Sequence, residues 1–283
     1  MQLVLLADRD ADSSGLRCAR EQGIATSGEG VEAILADTEM EIVFDATDSR
    51  HRPDQARILR DARRCTVDLT SRGAGSAAVL PVSPDDQMPL DGQIQGREIS
   101  LLGCPAQAVL PLVRTAAGIT PLVYAESVSV MPGCALGTAT REGIDEMIGA
   151  TARGLTTVAH AGQGKAIVAV SPAEPPARMR NIVHLIPEGD YDWRQLNAAV
   201  EETAEAVGRL VPGYRLCGEP CHEERDTPWD RRTTIRLVVE VAGDGRRLPA
   251  YAGSIEIMTA AAQAIGEQLA RAIARDRLGA EAA

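Results

Sequence analysis

The residues best suited to covalent chemistry lie in Ile99-Ser-Leu-Leu-Gly-Cys104-Pro-Ala-Gln-Ala-Val-Leu-Pro111. An apolar run ends at Gly103, and a proline is favoured at the start of a helix because its missing N–H leaves no bond unmade there. The pattern predicts a strand passing into a helix, with Cys104 at the N-cap and Pro105 at the first helical position. Unpaired N–H groups and the helix dipole would favour a thiolate at that place. Thiolate is the nucleophilic form of cysteine. The same residue types also suit a small buried cap with no chemical part, so the local pattern leaves both readings open.

Other side chains carry weaker signals. Cys217-Gly-Glu-Pro-Cys221-His222 groups three potential metal ligands, but no second pair follows at zinc-finger spacing. It reads as solvated loop thiols, and no metal is expected. Asp8, Asp10 and Asp12 follow an apolar start and suit a ribose-binding acid, a cation site or simply a polar loop. His51 and Arg52 follow a strand end and read as exposed loop residues, while His160 and His184 lack sequence partners and read as structural. Arg141, Arg178 and Arg180 could hold an anionic substrate or a coenzyme A phosphate, or else form salt bridges.

These groups need a scaffold, and composition restricts it. The 283 residues are 45% hydrophobic but only 2% aromatic, with one Phe. Small and branched aliphatic side chains must therefore fill the interior, which suits a parallel sheet covered by helices. Forty acidic against 29 basic residues give a net charge of −11, which argues against nucleic acid or an anionic membrane as partner. No apolar run approaches the roughly 20 residues that span a bilayer. The start, Met1 to Ala7, lacks a basic segment and reads as a strand rather than a signal peptide. Scattered free cysteines then suit a reducing cytoplasm.

Periodicity predicts strands at Gln2–Ala7, Glu41–Ala46, Thr66–Leu69 and Ile99–Leu102, with helices near 14–22 and 53–64, in the alternation of a doubly wound sheet. Beyond a helix at 106–117, strands at 122–130, 166–170, 181–186 and 235–241 outnumber crossovers. A mixed or antiparallel sheet is expected there, with helices at 142–153 and 192–210. A last amphipathic helix, 256–276, should pack back on the first half.

Longer stretches carry a family resemblance. Gly164-Lys-Ala-Ile-Val-Ala-Val-Ser-Pro-Ala-Glu-Pro-Pro-Ala-Arg-Met-Arg180 and Leu248-Pro-Ala-Tyr-Ala-Gly-Ser-Ile-Glu-Ile-Met-Thr-Ala-Ala-Ala262 look like signature regions of the acetylating, CoA-dependent acetaldehyde dehydrogenases of meta-cleavage pathways. The cysteine segment, Ile42-Val-Phe-Asp-Ala-Thr47, Val67-Asp-Leu-Thr70, Thr140-Arg-Glu-Gly-Ile-Asp-Glu146 and Val211-Pro-Gly-Tyr-Arg-Leu216 fall in the same order. The resemblance implies a Rossmann-like domain over 1–103, with helix 256–276 returned to it. A semialdehyde-dehydrogenase-type catalytic and dimerisation domain would follow over 104–255. It implies NAD and coenzyme A as cofactors, a homodimer, and an aldolase-like partner protein. By resemblance Cys104 is the nucleophile, Asn181 stands at the acid/base position, and Asp10, Gly137, Arg141 and Ser254 are cofactor-binding.

The sequence also departs from that family. Its opening strand with a Gly-rich turn has no counterpart, so the Rossmann-like sheet is expected to be incomplete. Gly28-Glu-Gly30 reads as a loop before a helix with no strand leading into it. Asn181 replaces an acid, Ser254 an asparagine, and only Gly137 and Arg141 persist from a glycine-rich loop at 132–141. Pro105 replaces a glycine beside the cysteine and has no N–H to offer an oxyanion, a donor typically worth about 3 kcal/mol. Two alternatives to the dehydrogenase therefore stay open: a non-redox cysteine enzyme of thioester or acyl-transfer chemistry, and a catalytically silent structural homologue.

Overall fold

A computed structural model describes residues 1–47, 52–70, 75–82, 95–228 and 231–281, without side-chain surroundings for 52, 53 and 278–281. In chain order, the first third consists of β1 (Leu5–Ala7), α1 (Ser14–Glu21), β2 (Ala25–Ser27), α2 (Val31–Ala36), β3 (Ile42–Asp45), α3 (Arg52–Asp61), β4 (Cys65–Asp68), β5 (Ser76–Ala77) and β6 (Glu98–Ser100). Local chemistry sets several limits. Ser13 caps α1 by accepting from the Leu16 N–H at 3.3 Å, and Gly23 at φ 74° lets the chain turn away after it.

All pairings in this third are parallel, but they form two separate leaves: β1 with β2, and a four-stranded sheet in the order β3-β4-β6-β5. Among the described residues no ladder joins β1 to β3. This is the incomplete doubly wound sheet that the sequence led us to expect. The core of the four-stranded sheet runs through Val67, Ile99 and Leu101, all about 1% exposed or less. A satellite cluster of Val31, Val43 and Leu59 ties α2 and α3 to it.

The remaining elements are α4 (Cys104–Ile119), β7 (Leu122–Pro132), α5 (Thr138–Glu142), α6 (Ile144–Thr157), β8 (Gln163–Ser171), β9 (Met179–Pro187), α7 (Trp193–Leu210), β10 (Tyr214–Leu216), β11 (Cys221–Asp226), β12 (Arg231–Val241) and α8 (Gly253–Glu281). Single 3-10 turns at Gly133–Ala135 and Ala250–Ala252 punctuate the connections. A six-stranded mixed sheet has the order β10-β12-β9-β7-β8, with β11 also on β12. Only β7 and β8 run parallel.

Helix α4 is the hub. It is buried at every position from Cys104 to Val113, because it lies between the inner face of the mixed sheet and helices α6, α7 and α8. Leu110 and Leu112 are fully buried, each worth about 1.5–3 kcal/mol of transfer free energy. The buried Tyr214 hydroxyl donates to the Ala108 carbonyl at 2.8 Å and pins β10 to the same helix. Helix α8 packs against α4, β3 and β4, so it reaches both halves. No described helix is long and apolar enough to cross a membrane.

Candidate active site around Cys104

The strand-to-helix passage is sharper than its sequence suggests. Gly103, not Cys104, is the N-cap of α4, and no side chain caps it; Cys104 is the first helical residue and Pro105 the second. The Gly103 N–H donates back to the Leu101 carbonyl at 2.7 Å, closing a three-residue turn about Leu102 at φ 60°. Such a turn at positive φ is rare and strained for a leucine. Gly103 follows at φ 104°, ψ 163°, a region open essentially to glycine alone. Packing holds the strain in place: a Cβ at Gly154 of α6 would stand 3.0 Å from Leu102 Cδ1, so the absent side chain lets α6 close on the turn.

Beside the elbow lies a cavity of about 410 Å³. Gly103 and Cys104 form part of its wall, with Met131 at the end of β7 and Ser254 and Met258 at the start of α8. Thr47 and Thr70, just past the carboxyl ends of β3 and β4, also line the cavity. That is where ligands enter open parallel sheets. Asp45 and Asp68, in register on adjacent strands, shape this wall. The Asp45 Oδ1 accepts from the Thr47 N–H at 3.0 Å and its hydroxyl at 2.6 Å, and the Asp68 Oδ1 accepts from the Thr70 N–H at 2.8 Å. Each aspartate thus folds the chain so that a threonine faces the cavity. The sequence shows two Asp-x-Thr segments at strand ends, and the pairing of β3 with β4 brings them side by side.

Cys104 is only 5% exposed to bulk solvent, so its contact with the outside is through the cavity. The expected thiolate is not the resting form: burial pushes the thiol from 9.0 up to about 12, with its own backbone N–H pulling weakly the other way. That change opposes ionisation by about 4 kcal/mol. A helix terminus offers about 0.3–2 kcal/mol. Burial wins, and the sulfur carries its proton at neutral pH.

The other sequence candidates are dispersed. Ser254, 5% exposed, joins Cys104 in the cavity wall. Arg141 spends its guanidinium on the loop before it, donating to the Leu136 carbonyl at 3.2 Å and the Gly133 carbonyl at 2.6 Å, and it borders a separate cavity of about 320 Å³. Gly137 is the exposed N-cap of the short α5. Asn181 is fully buried on β9, where its Oδ1 accepts from the Ser129 hydroxyl at 2.7 Å. Asp10 is exposed after β1 and lines neither cavity; its Oδ1 accepts from the Asp12 N–H at 3.0 Å. Arg178 and Arg180 both pair with Glu240. His222 stacks on Trp193 with centroids 4.1 Å apart, and no group of ligating side chains able to hold a metal occurs among the described residues. His160 is exposed at φ 57°, and His184 lies half-buried on β9. His51 lies outside the described residues.

Two observations bear on NAD. The cavity lies at the carboxyl ends of β3 and β4, where open parallel sheets receive ligands, and Thr47, Thr70 and Ser254 line it. The diphosphate fits less well: the β1–α1 turn presents Asp8, Asp10 and Asp12, and the Ser13 side chain already occupies the N-terminus of α1. The segment Gly28-Glu-Gly30 corrects the sequence reading, because β2 leads directly into it. Yet the helix that follows has six residues, and a Cβ at Gly30 would meet the Arg9 side chain at 3.1 Å. Among the described residues, then, no turn cradles a diphosphate.

A parallel sheet joined to a mixed sheet by a central helix, with the cavity at their junction, defines a semialdehyde-dehydrogenase-type fold. A crystal structure of aspartate semialdehyde dehydrogenase II from Vibrio cholerae superposes with a TM-score of 0.54 at 14% identity, covering 95% of this chain and 99% of that one. A profile of the dimerisation domain of prokaryotic acetaldehyde dehydrogenase matches residues 104–249. Curated relatives called acetaldehyde dehydrogenase extend the match: 41% identity with that of Roseiflexus castenholzii, over 96% of this chain and 87% of the relative. That of Chloroflexus aggregans is 42% identical over 98% and 89%, and that of Thermus thermophilus 40% over 96% and 87%. The chain belongs to the prokaryotic acetaldehyde dehydrogenase family.

Proposed function

We propose that this protein is a CoA-acylating aldehyde dehydrogenase in which Cys104 carries the acyl group. The observation that supports this most directly is the uncapped start of α4, which brings the Cys104 thiol to the wall of a cavity large enough for an aldehyde. Because the thiol rests protonated, it brings its own acid. As sulfur bonds to the carbonyl carbon, the thiol proton passes to the carbonyl oxygen and a thiohemiacetal results. No carboxylate is required at position 181 for that step. The Cys104 N–H and the Ser254 hydroxyl are donors in the same cavity wall that could meet the developing oxyanion, whereas the Thr47 hydroxyl is already given to Asp45. NAD, if bound, would supply the acceptor for the hydride that leaves the thiohemiacetal carbon, while the hydroxyl proton would pass to water, leaving a thioester on Cys104. In the last step the coenzyme A sulfur bonds to the acyl carbon, the Cys104–acyl bond breaks, and the coenzyme A proton returns to Cys104.

On this reading residues 1–103 with 256–276 form the cofactor half and 104–255 the catalytic and dimerisation half. The mixed sheet offers a face for the homodimer. On its side away from α4 and α7, Ile167, Val128, Ile182 and Val238 stand in one cross-strand row over four strands. Charged rows flank it, with Lys165, Glu126, His184 and Arg236 on one side and Arg180, Glu240 and Arg215 on the other. An apolar stripe between self-complementary charged rows suits a two-fold contact of one face with its copy.

Acetyl-CoA tests the reading without NAD, since acyl transfer is reversible. Incubated with it, the native protein is expected to acquire an acetyl group on the Cys104 peptide, and Cys104→Ser to lose both that thioester and CoA-dependent aldehyde oxidation. A native protein that stays unmodified at Cys104 and reduces no NAD with aldehyde and coenzyme A would overturn it.

A further inference from the structure

The strained turn under Cys104 is fastened by one side chain that the reaction does not touch. Gln107 lies one turn into α4 and is fully buried. Its Nε2 donates to the Leu101 carbonyl at 2.7 Å and to the Ala78 carbonyl at 2.8 Å, while its Oε1 accepts from the Leu80 N–H at 2.8 Å. Its own backbone N–H donates to the Gly103 carbonyl at 3.2 Å. Leu101 and Gly103 bracket the residue at positive φ, so Gln107 grips both sides of the bend. The two remaining contacts reach Ala78 and Leu80, in the chain just beyond β5. One carboxamide therefore binds the end of β6, the segment after β5 and the first turn of α4 into a single unit.

We propose that Gln107 is a positioning residue for Cys104: it holds the Leu101–Gly103 turn in its strained form and thereby aims the thiol at the cavity. This rests on the reading of Cys104 as the acyl carrier. Strained backbone persists only where its surroundings over-determine it. Here the packing of Leu102 against Gly154 supplies one constraint and the Gln107 carboxamide the other. Release of the second lets the turn relax toward negative φ. The first turn of α4 then shifts relative to the threonine wall. A misplacement of about 1 Å is enough to lower a rate about 100-fold.

The test pairs Gln107→Glu, which keeps length and volume but loses both donors, with Gln107→Met, which removes every polar contact. In a variant whose melting and circular dichroism show a folded protein, kcat per folded chain for CoA-dependent aldehyde oxidation is expected to fall about 100-fold with KM for aldehyde within about twofold. Cys104 alkylation by iodoacetamide, followed on its peptide, should quicken about tenfold as the turn loosens, while that of buried Cys65 stays unchanged. Unchanged kcat and unchanged Cys104 alkylation would overturn the assignment. If the native protein lacks the oxidation but the alkylation still changes as stated, the dehydrogenase reading fails and the positioning assignment stands. Should neither variant fold, the native protein decides. Alkylating Cys104 must quicken amide exchange at Leu80 as well as at Gly103, because Gln107 links the two; quickening at Gly103 alone overturns the proposal.

Discussion

At the scale of single residues, the site turns on a competition between a helix terminus and burial. The sequence announced the strand–helix junction and the cysteine, because Gly, Cys and Pro fall together after an apolar run. It did not announce which effect governs the thiol, since burial depends on α6 and α8, far away in the chain. With burial dominant, alkylation of Cys104 in the free protein is expected to keep accelerating through pH 10 without a plateau, because the thiol ionises only near 12. The exposed Cys18 and Cys134 are expected to react faster throughout. Peptide mapping over a pH series measures both. Gly103 gives a second expectation: Gly103→Ala forces a Cβ into a backbone region closed to it and should cost about 1–3 kcal/mol in urea unfolding, with loss of Cys104 acylation. The hydroxyl wall was harder to read, since nothing in Asp-Ala-Thr or Asp-Leu-Thr shows that the two strands are neighbours.

At the scale of elements, long periodic segments were legible, and so were the short apolar strands β1, β3, β4 and β6, but other short strands were not. Helices α4, α6 and α7 and strands β7, β9 and β12 all lie where alternation or helical spacing placed them, with ends shifted by a few residues. The two- and three-residue strands β2, β5 and β10 carry too few side chains to display a period. Strand β11, Cys-His-Glu-Glu-Arg-Asp, is polar throughout and pairs only because β12 extends beside it. Across β10, β12 and β9 the sheet also carries an ionic row, in which Glu240 accepts from Arg178 and Arg215 at 2.8 and 2.7 Å and from Arg180 at 3.2 Å. Although burial alone would raise it, these hydrogen bonds bring the Glu240 carboxyl from 4.5 down to about 2. A depressed carboxyl stabilises the fold fully above its unfolded value and loses that contribution as pH falls through the folded one. Stability should therefore hold above about pH 4.5 and decline toward pH 2. Because the guanidiniums are about half exposed, Glu240→Gln is expected to cost about 1–2 kcal/mol in denaturant unfolding at pH 7 and to flatten part of that acid slope.

At the scale of the whole molecule, an incomplete parallel sheet was expected but its division into two leaves was not, whereas the α8 bridge from the mixed sheet to β3 and β4 was read from its apolar stripe. The proposed homodimer gives this scale its expectation. Ile182→Asp places a charge in the middle of the apolar row without touching the cavity, and sedimentation should show dissociation to monomers at concentrations where the native protein is paired. A variant that still sediments as a dimer moves the contact elsewhere.

The detached leaf formed by β1, β2 and α1 has its own consequence. It places Leu16 and Ala19 in its interior but shares neither hydrophobic cluster of the remaining chain, and its ladder is three residue pairs long. Free energies of local opening follow such differences. Brief trypsin treatment should thus cut first at Arg9, Arg17 or Arg20 and leave a long-lived fragment that contains the intact elbow, a trimmed protein whose thiol is still sheltered.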